Sequence, residues 1–127
     1  MIQFFYIFLG GGLGSLIRYC ISLLFLESHF PISTLFANLI SCLIVGLFLV
    51  FMQKFHFHND LRLFIIIGFC GGLSTFSTFS HETINLIKEG YVNYAILNIG
   101  LSMIVCFSVL YFLVKKLKDL TYHNTIA

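Results

Sequence analysis

The sequence predicts an all-α membrane protein of four transmembrane helices, the third broken near its middle. Three observations carry that expectation. The 127 residues are 59% hydrophobic and only 9% charged, with a mean hydropathy of +1.00. A soluble domain carries about 25% charged residues, so the solvent of this chain is lipid. Four apolar spans can be drawn, at 2–26, 32–52, 61–87 and 92–113, each long enough for a hydrocarbon core that needs about 20 helical residues. Within the third, Gly68-Phe69-Cys70-Gly71-Gly72-Leu73-Ser74-Thr75-Phe76-Ser77-Thr78-Phe79-Ser80 sets three glycines and five hydroxyls at bilayer depth. Backbone groups freed there are costly unless protein, water or an ion binds them.

The first span opens without a basic segment and contains Arg18, which argues against a cleavable signal peptide. Its run Gly10-Gly11-Gly12-Leu13-Gly14-Ser15 holds two small-xxx-small pairs, Gly10 with Gly14 and Gly11 with Ser15, a pattern that lets helices approach closely. Arg18 stands one turn after Gly14. An ionisable residue inside a span is a functional candidate, here either a structural pairing partner or an attractor of anions.

After a short connection at 27–31, the second span carries a polar stripe at helical spacing: Thr34, Asn38, and Ser41 or Cys42. The Asn38 amide can donate two hydrogen bonds, which suits either an anion shedding water or a neighbouring helix. The loop at 53–60 holds a single HxH pair, His56 and His58, which reads as solvated loop rather than metal site. Glu82 comes near the end of the third span, placed at a vestibule or at the headgroups. Its Phe76 and Phe79 differ from most of the 16 phenylalanines because Ser and Thr surround them. An aromatic ring has a positive edge, which can hold a small anion.

The fourth span repeats the stripe, with Tyr94, Asn98 and Ser102 at i, i+4 and i+8 and Cys106 extending the line. A polar tail follows at 115–127. With its short connections, the whole chain, 1–127, reads as a single membrane domain. One cysteine falls in each span and none forms a CxxC pair, so packing is expected and a disulfide framework is not. The side shared by the termini and the middle connection holds Lys54, Arg62, Lys115, Lys116 and Lys118, against Lys88 alone on the other. The positive-inside rule places the termini in the cytoplasm.

Three stretches resemble the signature of the fluoride channels called Fluc or CrcB. They are Gly11-Gly12-Leu13-Gly14-Ser15-Leu16-Ile17-Arg18-Tyr19, Thr34-Leu35-Phe36-Ala37-Asn38, and the run at 68–80. The likeness spans all four helices. It implies an antiparallel, dual-topology dimer of four-helix subunits in the cell (inner or plasma) membrane, with two fluoride pores. It implies that Phe76, Phe79, Asn38, Thr34, Tyr94, Asn98 and Ser102 line the pore, and that Arg18 and Glu82 stand at its mouth. It also implies that backbone carbonyls of Gly71 and Ser74 from both subunits hold a structural Na+ at the dimer centre. Ser74 replaces the usual Thr, and Asn98 stands where Ser is common. The cationic imbalance, five against one, leaves the partner as an identical chain or an oppositely oriented paralogue.

The function so implied is passive, fluoride-selective export that relieves cytoplasmic fluoride toxicity. Small proton-coupled multidrug exporters share the size, but they need a carboxylate deep in the first span, which here is acid-free until Glu27. A fluoride/proton antiporter would have to run on Glu82, the nearest carboxylate to mid-span. A non-transporting assembly subunit would use the Ser-Thr-Phe run only for packing. No enzyme and no nucleic-acid partner are expected, and the glycine-rich stretches contain no GxxxxGK[ST] phosphate loop.

Overall fold

A computed structural model describes residues 1–55 and 58–126, and the side chains of all of these except 53, 54 and 117–126. Among the described residues, four helical spans are long and apolar enough to cross a bilayer: Ile2–Leu24, Ile32–Met52, Asn59–Lys88 and Val92–Lys116. The chain is a multi-pass membrane protein. Its outer faces present Phe4, Phe8, Leu16, Ile96, Ile104 and Phe107, the surface that lipid requires.

Helix α1 covers Ile2–Leu24 and α2 covers Ile32–Lys54. The glycine run does not break α1, because in lipid every backbone group must bond within its own helix. Pro31 precedes α2, where a missing N–H and a fixed φ are harmless.

The third span is broken, as the glycine and hydroxyl run predicts, and it is divided more finely than expected. It starts as α3, Asn59–Arg62, widens into a π-helical segment, Leu63–Cys70, and closes with α4, Gly71–Leu73. Ser74 and Thr75 are extended, and α5 restarts at Phe76–Lys88. The last helix, α6, runs over Val92–Ile126. It thus continues through the segment expected as a polar tail. That segment contains neither Gly nor Pro, and extending a formed helix costs no new nucleation.

Helix α1 packs chiefly on the π-helical segment and α4, and α2 on α6. The first contact depends on the missing side chains of four glycines. A Cβ on Gly10 would strike the Phe64 carbonyl, one on Gly14 the Phe69 carbonyl, and one on Gly72 the Gly11 carbonyl, while one on Gly68 would lie 2.8 Å from the Ile7 oxygen. The small-residue pairs of the first span therefore find their counterpart in the glycines of the third. A core of Ile21, Ala37 and Leu73, with Phe25, Ile40, Ile44 and Phe69 around it, ties α1, α2 and the third span together.

Candidate functional site

The break at Ser74–Thr75 removes backbone partners, and nearby side chains replace them. The Thr75 N–H donates to Asn38 Oδ1 at 2.7 Å, and the Thr75 carbonyl accepts from Asn38 Nδ2 at 3.3 Å. One side-chain amide on α2 thus pairs with both polar groups of one extended residue. Thr75 also caps α5, its Oγ1 accepting from the Thr78 N–H at 3.1 Å. On the other side of the break, the Cys70 carbonyl accepts from Ser74 Oγ at 2.8 Å and from Ser41 Oγ of α2 at 3.0 Å. Replacing Asn38 by Ala strands the Thr75 N–H and C=O, each a loss of about 1–3 kcal/mol. Thermal unfolding in detergent should record that destabilisation for Asn38→Ala, and a smaller one for Asn38→Asp, which still accepts from Thr75.

These diversions bear on the carbonyls named for a cation. The helical donors for Gly71 and Ser74 would be the N–H groups of Thr75 and Thr78, four residues on. Both N–H groups are taken by side chains. Gly71 is exposed on the chain surface. The two carbonyls thus lose their i+4 donors to side chains, and a carbonyl oxygen is a hard ligand of the kind that suits a monovalent cation.

Beside the break lies a cavity of about 230 Å³ between α1, α2 and α5, whose walls include Ser15, Arg18, Ser33, Thr34, Thr78 and Glu82. Arg18 Nη1 donates to Thr78 Oγ1 at 3.3 Å, and Thr34 Oγ1 donates to Glu82 Oε1 at 2.8 Å. Arg18 Nε and Glu82 Oε2 are buried with no hydrogen-bond partner among the described residues. Arg18 thus pairs with α5 and, among the described residues, keeps one donor unspent. Thr78 joins cavity to break, since its hydroxyl oxygen also accepts from Thr75 Oγ1 at 2.9 Å. With two donors on that oxygen, the Thr78 hydrogen is left for the cavity. Sequence reading did not single out Thr78 or Ser33, although Thr78 lies in the signature run itself.

Phe76 and Phe79 meet at 5.6 Å between ring centroids, tilted by 35°, yet their surroundings differ. Phe79 is 7% exposed and Phe76 is 71% exposed on the single chain. Asn98 is fully buried and donates to Thr83 Oγ1 at 2.9 Å; Ser102 Oγ donates to Asn98 Oδ1 at 3.4 Å. Tyr94 stands apart from this pair. It packs on Tyr91 and Phe30, with centroids at 5.9 and 6.1 Å. The structure thus groups Arg18, Thr34 and Glu82 at the cavity, Asn38, Gly71 and Ser74 at the break, and Asn98 with Ser102 on α6. Of the HxH pair, His56 lies outside the described residues, and His58 reaches Asp60 at 3.5 Å. Cys20, Cys42, Cys70 and Cys106 are all free thiols.

Residues 5–114 match the family described as CrcB-like protein, Camphor Resistance (CrcB). The chain belongs to the CrcB-like family. Relatives agree with that placement. A protein named fluoride-specific ion channel FluC from Enterobacter sp. (strain 638) is 42% identical over 105 residues, covering 80% of this chain and 83% of the relative. One of the same name from Pyrococcus abyssi is 42% identical over 105 residues, 81% of this chain and 85% of the relative. Another from Phocaeicola vulgatus is 42% identical over 87 residues, 66% of this chain and 72% of the relative. The match takes in all four spans of this CrcB-like chain, including the break and the glycine contact.

Proposed function

We propose that this chain conducts fluoride passively and selectively across the membrane, as one half of an antiparallel pair. The observation that carries the reading is the pinned break in the third span, in a chain whose CrcB-like relatives are named fluoride-specific channels. Fluoride is small, and removing its water is expensive; a bare ion in a low-dielectric interior costs tens of kcal/mol on a Born scale. A conducting path must return most of that through donors and positive potential, with several weak sites rather than one tight site.

Arg18 and Thr78 supply a positive, donor-rich mouth, with Glu82 held aside by Thr34. Beyond it stand the Asn38 amide, which keeps one N–H after bonding Thr75, the ring edges of Phe76 and Phe79, and Asn98 with Ser102 on α6. Tyr94 lies at the start of that helix. Phe76 is largely uncovered in the single chain, as a ring completed by a second subunit would be. The partner is an identical chain or an oppositely oriented paralogue.

The freed carbonyls of Gly71 and Ser74 fit a shared Na+ at the pair's centre, where its charge would raise the local potential. Replacing sodium by a large organic cation should then weaken the pair and slow fluoride flux. Elution volume and flux that do not change without sodium would remove the cation from the reading. Selectivity is tested by reconstituting the chain in liposomes and measuring efflux with ion-specific electrodes. Fluoride should leave and chloride should stay; equal rates for the two would contradict selective conduction.

A further inference from the structure

The polar line of α6 is a directed chain of hydrogen bonds that ends on α5. Ser102 Oγ donates to Asn98 Oδ1 at 3.4 Å, Asn98 Nδ2 donates to Thr83 Oγ1 at 2.9 Å, and Thr83 Oγ1 donates to the Phe79 carbonyl at 2.8 Å. Asn98, Thr83, Ser102 and Phe79 are all buried. A hydroxyl has one hydrogen and an amide nitrogen has two. Ser102 and Thr83 have therefore spent theirs, while Asn98 keeps one N–H. A threonine that only back-bonded to its own helix would have no need of a partner on α6. Here the same oxygen also receives the amide of a residue fifteen positions away.

We propose that Thr83 is a positioning residue for conduction: its hydroxyl couples the Asn98 amide to the main chain of Phe79 and fixes the polar and aromatic sides of the path relative to each other. The inference rests on the reading of Phe79 and Asn98 as path residues. It explains why a buried threonine lies outside the signature run yet bonds to both. It also separates two residues of one stripe, since Asn98 retains a donor for an anion and Ser102 serves to orient it.

Thr83→Val preserves shape and removes the hydroxyl; Thr83→Ser removes only a methyl. In liposomes, with flux counted per folded protein, Thr83→Val should lose about tenfold in fluoride efflux, the scale of one misplaced hydrogen bond. Thr83→Ser should stay within about twofold of wild type, because its hydroxyl makes both bonds. Thr83→Ala, which adds no bulk, gives a second hydroxyl-free variant should the valine fail to assemble. Wild-type efflux from either folded hydroxyl-free variant, or equal losses in serine and valine, would overturn the role of Thr83. Absence of fluoride flux in the wild type would instead overturn the reading of the path itself.

Discussion

Replacing Phe76 by isoleucine should slow fluoride flux by about a hundredfold while leaving the protein folded. The two halves of this expectation have separate causes. Phe76 is 71% exposed on the chain, so removing its ring opens no cavity in the packed interior. Its ring nevertheless lies 5.6 Å from that of Phe79, at the start of α5, directly after the break. Isoleucine keeps the apolar bulk and removes the positive ring edge. An anion passing there would lose the ring-edge site between the hydroxyl and amide donors on either side of it. A rise of about 3 kcal/mol in the barrier corresponds to about a hundredfold loss of rate. Electrode-recorded efflux from liposomes, with elution volume as the control for assembly, checks both halves. Unchanged flux would remove the aromatic contribution. Phe79→Ile is the poorer test, because Phe79 is buried and its loss would also perturb packing.

Gly14→Val should have the largest effect on folding. A Cβ at this position collides with the Phe69 carbonyl and approaches the Leu73 N–H at 2.8 Å. Both obstacles are backbone, so α1 can accept a side chain only by moving away from the third span. Overpacking of this kind typically costs about 1–3 kcal/mol, occasionally more, and displacement of α1 would also pull Arg18 from Thr78. Gly12 supplies the contrast, since a Cβ there meets nothing within 4 Å among the described residues. Gly12→Ala should therefore be tolerated, while Gly14→Val yields little folded protein. Yields and melting temperatures in detergent measure both. Equal behaviour of the two variants would contradict the close helix contact.

The fold was legible where composition or local chemistry leaves one choice. Hydropathy marks the four spans because lipid admits little charge. The glycine and hydroxyl run marks the break because such residues have no place in a plain lipid-facing helix. The small-residue pairs of the first span announced a close contact, although not that Gly68 and Gly72 would supply its other side. The π-helical turns of Leu63–Cys70 were not legible. Every residue there except Gly68 is apolar, so no period distinguishes a wide turn from a normal one. The continuation of α6 to Ile126 was hidden for the opposite reason: polarity ends an apolar span, but it does not end a helix.

At the site, residue types were more readable than partnerships. Asn38 stood out as an amide in a span, but its pairing with Thr75 depends on where the third span breaks. Thr34 was seen as part of a stripe, while its bond to Glu82 joins positions far apart in sequence. Spacing grouped Tyr94 with Asn98 and Ser102, and the structure keeps Tyr94 among the aromatic residues at the start of α6. Thr78 and Thr83 carried no signal of their own, because threonines in a helix usually bond to the preceding turn. Their importance comes from what α1 and α6 bring to them.

Passive conduction is tested most directly by whether fluoride leaves alone, carrying net charge and moving no protons. Liposomes containing the protein are loaded with potassium fluoride and diluted into fluoride-free buffer, with and without a potassium ionophore. A channel predicts that fluoride stays inside until the ionophore lets potassium follow, and then leaves rapidly at any proton gradient. Fluoride efflux that draws protons into the liposomes as it proceeds, alkalinising the medium with the ionophore present, would contradict a channel and identify proton-coupled exchange.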